Sequence, residues 1–245
     1  MTQGRMIAVA SGKGGVGKTW LCITLAHALA RLGHRVLLFD ADLGLANVDI
    51  QLGLTPRLDL VAVLANRATL SDAIIAHEDG FHVLAGHSGS GALAGLTPDG
   101  VEQVLMTARN AAAFYDITLL DLGAGLEPPV RRLSAASDEL LIVTTDEPTS
   151  LTDAYAVLKL HAQDRPTGPA RIVVNQAPSP SSGERTYATI RRAAQTFLGL
   201  NPDLAGIVRR DARVPDTIRN QALLLTRYPT CHAATDVEQL CQALI

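Results

Sequence analysis

Cysteine is scarce in this 245-residue chain: Cys22, Cys231 and Cys241 are too few and too scattered for a disulfide framework or a metal site of short ligand spacing. The expected compartment is therefore reducing. No apolar run is long enough to cross a bilayer, and no charged and apolar export signal opens the chain, so a cytoplasmic protein is expected. An excess of one charge is lacking too. A formal net charge of -3 gives no general attraction to nucleic acid or anionic membrane, partners that reward a clustered basic face. Internal repeats are absent. What is abundant is apolar side chain, 47% of the residues, enough to bury one large core and with no pattern of a second. A single domain over residues 1–245 is the expectation.

Short apolar runs alternate with helical patterns. Met6 to Ala10, Arg35 to Phe39, Phe81 to Ala85, Ile117 to Leu120, Leu140 to Thr144, Arg171 to Val174 and Ala205 to Val208 read as strands, with helices between them. That alternation predicts an α/β fold: a doubly wound, mostly parallel sheet with helices on both faces, its ligands lying outside the carboxyl ends of the strands. Proline and serine in Ala177 to Gly183 predict an exposed loop.

Directly after Met6 to Ala10 stands Ser11-Gly12-Lys13-Gly14-Gly15-Val16-Gly17-Lys18-Thr19, the phosphate-loop pattern of two spaced glycines followed by Lys-Thr. Leu21, Leu25, Ala28, Leu29 and Leu32 recur at helical spacing behind it, so strand, loop and helix come in the required order. Only glycine lets a backbone turn so tightly that successive N–H groups point at phosphate oxygens, and Gly12, Gly14, Gly15, Val16 and Gly17 form that cradle. Lys18 brings charge to the outer phosphates. Thr19 offers a hydroxyl to magnesium, a hard cation that keeps several of its waters. Lys13 is a second cation inside the loop, too early to be the ordinary phosphate lysine, which leaves it for a different task.

Asp40 and Asp42 close the second strand in Leu37-Leu38-Phe39-Asp40-Ala41-Asp42 and reach the sheet edge that carries the loop. Asp121 ends Ile117-Thr118-Leu119-Leu120-Asp121, with Gly123 and Gly125 behind it, the pattern of a magnesium-supporting acid followed by a mobile loop. Any one of these acids alone reads equally as a helix N-cap or loop residue. Together beside a phosphate loop they supply what phosphoryl transfer needs: metal, positive charge and a positioned water. Hydrolysis of ATP or GTP is the expected reaction.

With Lys13 in the loop, Asp40-Ala41-Asp42 after the second strand and Asp121-Leu122-Gly123-Ala124-Gly125 after a later one, the chain resembles the MinD/ParA family of deviant Walker-A ATPases over nearly its whole length. The segments Asp42 to Asp49 and Asp146 to Tyr155 resemble the FleN/FlhG branch, which governs flagellar number and placement. The resemblance implies ATP/ADP and Mg2+ as ligands. It puts Lys18 on the phosphates and gives the metal to Thr19, Asp42 and Asp121, with Asp42 also positioning the attacking water. Lys13 would cross an ATP-sandwiched homodimer to the partner's phosphates, as an arginine finger does in trans, so that Lys13, Lys18 and Asp42 form the catalytic set. Asp153 would pair with Lys13 when no partner is present, and Asn175, ending Arg171 to Asn175, would read adenine. Members of the branch act as antiactivators of an enhancer-binding AAA+ flagellar master regulator and work opposite the signal-recognition-type GTPase FlhF. A similar role is implied here, with slow turnover until a partner binds and peripheral placement at a cell pole or inner membrane.

Three departures from the family pattern qualify this. Trp20 stands where the family has a small or polar residue at the α-phosphate; its N–H survives, while its ring either shapes the nucleotide pocket or packs as a core residue. Arg209 replaces a proline that passes the base and joins Arg210 and Arg213 in a basic cluster, read either as a nucleotide contact or as solvated charge. Val237, Leu240, Cys241, Leu244 and Ile245 recur at helical spacing with no Lys or Arg after Arg227, so a helix docked on the core is expected. Membrane contact is expected only through a basic amphipathic tail missing from this sequence. With so short a segment before Met6, the N-terminal helix with which some relatives stimulate FlhF is expected to be missing, and with it a stimulating role. The competing readings are a MinD-type division-positioning ATPase, a ParA-type DNA-partitioning protein, and a module that holds nucleotide without hydrolysing it. Nonspecific DNA binding runs against the charge balance. Iron–sulfur ligation is excluded by the spacing of the three cysteines.

Overall fold

The structure, a computed structural model, describes residues 4–86 and 95–245. Its strands are β1 (Arg5–Ser11), β2 (Val36–Ala41), β3 (Ile74–Ala76), β4 (His82–Leu84), β5 (Ile117–Ala124), β6 (Glu139–Thr144), β7 (Ala170–Ala177) and β8 (Asp203–Arg209). They form one sheet in the order β3-β4-β2-β5-β1-β6-β7-β8. Every neighbouring pair is parallel except β3 with β4, a short antiparallel edge. β1 lies at the centre between β5 and β6, and the chain leaves it outward on one side before returning to fill the other. The loop after β1 therefore opens at the point where the strand order reverses.

The helices are α1 (Lys18–Arg31), α2 (Val48–Leu52), α3 (Leu60–Leu64), α4 (Leu70–Ala73), α5 (Pro98–Ala112), α6 (Pro128–Ala136), α7 (Pro148–Asp164), α8 (Pro180–Leu198), α9 (Arg213–Arg219), α10 (Leu224–Arg227) and α11 (His232–Leu244). Alternation along the strands divides the interior in two. Ile7, Val9, Leu38, Leu119, Leu141 and Val173 face a core built with α1, α10 and α11. Met6, Ala8, Leu37, Phe39, Leu120, Ile142 and Ile172 face the opposite core, closed by α5 to α8. Both faces of a parallel sheet are thus covered, which is why its strands read as continuous apolar runs. α1 is buried from Lys18 through Leu29, mostly apolar with Thr24 and His27 among the buried positions, so the helix that receives the loop is enclosed by the core. At the end of the chain, Val237, Leu240, Cys241 and Leu244 of α11 are buried against β8 and α1, the docked tail helix that its spacing predicts. No described helix is long and apolar enough to cross a membrane.

Two elements differ from expectation. The stretch Ala177 to Gly183 is not a loop: β7 runs to Ala177, and α8 begins at Pro180 with the Ser179 hydroxyl accepting from the Ser182 N–H at 3.2 Å. Proline at the first helical position and serine at the N-cap are the chemistry of a helix start, which shares its composition with loops. β3 was not expected at all, because Ile74-Ile75-Ala76 is too short to show alternation and exists by pairing with β4.

Candidate functional site

The chain must turn back immediately after β1 to enter α1. The Ser11 hydroxyl donates to the Lys13 carbonyl at 2.6 Å, and Gly17 adopts a left-handed φ of 88°. Side chains are excluded at both ends of the turn: a Cβ on Gly12 would lie 2.6 Å from the Asp153 Cβ, and one on Gly17 would lie 2.6 Å from Asn175 Nδ2. Gly14 and Gly15 are exposed, whereas Val16 is buried and pins the loop to the core. No side chain caps the start of α1. Its first N–H groups and the positive end of its dipole therefore face the loop, which suits an anion. Lys18 and Thr19 follow at this first turn, both buried.

The acids converge on the same edge. Asp40 and Asp121 are register partners on adjacent strands, each 1% exposed. Burial, then repulsion from Asp121, raises the Asp40 pKa; burial also raises that of Asp121, opposed by Thr19 and Lys18. The Cys22 thiol donates to Asp121 Oδ1 across 3.5 Å. Asp40 accepts the N–H groups of Asn47 and Val48 through Oδ2, each at 3.0 Å, and that of Asp42 through Oδ1 at 3.1 Å. Asp40 is thus a staple that folds residues 42–48 back onto the sheet edge. Asp42 Oδ1 accepts from Gly44 at 3.1 Å and Leu45 at 2.9 Å and lies 3.0 Å from where a Gly123 Cβ would stand. The Gly125 N–H donates to the Ser11 carbonyl at 2.9 Å. The loop behind Asp121 therefore meets both the start of the phosphate loop and Asp42, on the sheet edge predicted from their strand-end positions.

Lys13 extends away from the cradle. Its ammonium pairs with the Glu147 carboxylate and donates to Thr149 Oγ1 at 3.0 Å. The ammonium in turn holds Glu147 below the usual carboxylate range. Asp153, the acid implied for this pairing, instead packs its Cβ and carbonyl against the Gly12 backbone, further along α7. The reason is reach: Gly12 approaches α7 so closely at Asp153 that the side chain of Lys13 runs toward the helix start. Glu147 and Thr149 both lie within the segment Asp146 to Tyr155, but nothing in their type or spacing marks them over Asp153.

Beside the loop lies a cavity of about 350 Å³ whose lining includes Gly15, Gly17, Trp20, Asn175, Val214 and Ile218. Asn175 sits at its wall with both ends of its amide engaged: Nδ2 donates to the Val16 carbonyl at 2.7 Å and Oδ1 accepts from the Gln176 N–H at 2.9 Å. Gln176 has a left-handed φ of 57°, and its Nε2 donates to the Gly15 carbonyl at 3.3 Å. Two successive amides thus grip two successive loop carbonyls, a contact for which Gln176 carried no motif signal. Arg209 lines the same cavity, yet its guanidinium forks onto Asp236 of α11 at 2.7 and 2.8 Å. Its side chain thereby joins β8 to α11 at the cavity wall. Arg213 leans on Asp211 at 3.4 Å, so the basic cluster is interleaved with acids. Trp20 is buried in the core and also forms cavity wall, so its two readings coexist.

Thr19, buried beside Asp121 and Lys18, suits magnesium: a hard oxygen, a carboxylate near it, and the rest of the shell left to waters and phosphate oxygens. Among the described residues no group of three or more His, Cys, Asp or Glu side chains could hold a metal ion. Fold and site together are those of a P-loop nucleotide-binding protein. The CobQ/CobB/MinD/ParA nucleotide binding domain matches residues 7–224, and the chain belongs to that family. It is 35% identical to the antiactivator FleN of Pseudomonas aeruginosa, over 97% of this chain and 85% of that protein. It is 28% identical to the flagellum site-determining protein YlxH of Helicobacter pylori, over 98% and 82%. The cell division ATPase MinD of Pyrococcus furiosus superposes with a TM-score of 0.82 at 25% identity, over 98% of both chains. Both the doubly wound fold and the place on the FleN/FlhG side of the MinD/ParA family, whose members are ATPases, agree with the sequence reading.

Proposed function

We propose that the chain is an ATP-dependent dimerisation switch with slow ATPase activity that regulates flagellar number or placement, as antiactivator of an enhancer-binding AAA+ regulator. The observation that carries this is the position of Lys13, parked outside its own cradle on Glu147 and Thr149. Both partners in that ion pair are solvent-accessible, 36% and 60% exposed, so the ammonium is free to exchange them for the phosphates of a second copy. Lys18 then serves the chain's own nucleotide, with the first-turn N–H groups of α1. Thr19 and Asp121 would hold magnesium, which when bound would offset charge on the transferring phosphoryl group. Asp42 orients the attacking water from a segment that Asp40 staples to the sheet, and loss of the γ-phosphate releases that segment. The base occupies the cavity beside Asn175. FleN and YlxH, as relatives over most of the chain, support the flagellar role.

A second reading, positioning of division machinery in the manner of MinD, is favoured by the superposition on that ATPase. The deciding experiment measures the mass of the protein in solution with ADP and with ATP and Mg2+. The host's flagellar AAA+ regulator is then added. A dimer with ATP only, which binds the regulator and lowers its ATPase activity, is the expected result. A dimer indifferent to the regulator but bound by a division inhibitor favours the second reading, and a monomer in every state overturns both.

A further inference from the structure

We propose that one buried water joins Trp20 to Gln51, and that through it the first turn of the nucleotide helix α1 is tied to α2, the helix that follows Asp42 to Asn47. Trp20 Nε1 is a buried donor without an acceptor, and Gln51 Oε1 is a buried acceptor without a donor. A buried polar atom left without a partner loses its hydrogen bonds to water and gains none in return. Both side chains line the same small cavity, together with Thr24, Ile218 and Leu224. Its volume is about 10 Å³, the least that a single water needs. The polarity of the wall matches that one molecule. A water there accepts from the Trp20 indole N–H and donates to Gln51 Oε1. Its second hydrogen goes to Thr24 Oγ1, whose own proton is given to the Trp20 carbonyl at 2.8 Å and whose lone pairs are left to accept. Three hydrogen bonds is the usual number for a buried water.

The link continues on the far side. Gln51 Nε2 donates to Asn47 Oδ1 at 3.2 Å, and the Asn47 N–H donates to Asp40 Oδ2 at 3.0 Å. On the near side, Trp20 and Ile218 line both this cavity and the larger one beside the phosphate loop, and so form the partition between them. Pressure from a ligand on that partition and rearrangement of residues 42–48 thus act on opposite ends of one polar chain. An indole fits here because it presents a single donor at the end of a large apolar body.

The test uses nucleotide-free protein first, so it stands apart from the ATPase reading. Trp20→Phe and Gln51→Leu each leave the water and the other partner short of a bond, whereas the double variant removes both partners. Each single variant is expected to lower Tm, with the double variant recovering much of the loss; additive losses overturn the proposal. A crystal structure of the unaltered protein is expected to show water density between Trp20 Nε1 and Gln51 Oε1, and a cavity without it overturns the proposal whatever the variants do. The coupling is read from Trp20 emission, since it is the only tryptophan. The emission difference between ADP and ATP with Mg2+ is expected to shrink in Gln51→Leu while ADP affinity holds; an undiminished difference removes the tie to α2.

Discussion

Lys13, inside the phosphate loop, forms an ion pair with Glu147, 134 residues further along the chain, at the residue that precedes α7. This pair competes with any contact Lys13 makes to a second copy. Removing the competitor with Glu147→Gln is expected to move the ATP-bound monomer–dimer equilibrium toward dimer by about two- to five-fold, the scale of an exposed pair, and less at high salt. Lys13→Ala is expected to abolish the dimer while ADP affinity stays near the original value. Sedimentation with ATP and Mg2+ checks both, and a Lys13→Ala protein that dimerises normally would break the assignment.

Asp42 offers a separable test because its carboxylate has two jobs. It orders the Gly44 and Leu45 N–H groups, and it faces the loop behind Asp121. Asp42→Asn keeps an acceptor for the two N–H groups but loses the charge that orients water. Single-turnover hydrolysis is expected to fall by about 10²–10⁴, with the ATP dimer lasting correspondingly longer. Hydrolysis at the original rate would exclude Asp42 from the reaction.

Strand periodicity and the glycine loop were enough to foresee the sheet and its nucleotide edge, since both depend on local pattern. What escaped depends on packing. Asp40 and Asp42 read alike as strand-end acids, and only the fold turns Asp40 inward onto the N–H groups of Asn47 and Val48. Glu147 and Asp153 are both acids within the segment Asp146 to Tyr155, and the choice between them is made by how closely Gly12 approaches α7. Serine and proline at 178–182 suit a loop or a helix start equally; the Ser179 cap decides it.

Gln176 was invisible because its left-handed backbone is one that Asn or Gly would advertise and Gln does not. Gln176→Gly removes the backbone strain together with the amide that holds the Gly15 carbonyl. Tm is therefore expected to stay level or rise, while ADP affinity falls by about two- to ten-fold, the worth of one neutral hydrogen bond. Gln176→Ala keeps the strain and loses the grip, so it should lower both. Calorimetric titration of the Gly variant decides: unweakened ADP binding would make Gln176 a turn residue only.

The stacked carboxyls of Asp40 and Asp121 set a pH dependence. Burial above all raises Asp40 to about 8 and Asp121 to about 6, whereas both titrate near 3.9 in an unfolded chain. Between those limits the folded protein binds more protons than the unfolded one, so this contribution is full below about pH 4 and is lost as pH rises through about 8. His27 and His161 act oppositely: burial lowers both, and their contribution is lost as pH falls through about 6.5 and below. The window from about 6.5 to 8 therefore isolates the carboxyls. Across it, Tm of the nucleotide-free protein in EDTA is expected to fall, by up to about 1.4 kcal/mol of stability per pH unit for each proton retained. Mg2+ with ADP puts positive charge beside the pair where the proton had been, so stabilisation by Mg-ADP should be larger at the alkaline end. A Tm that stays level through this window would mean that both acids are already ionised in the folded protein, with Thr19 and Lys18 outweighing burial at Asp121.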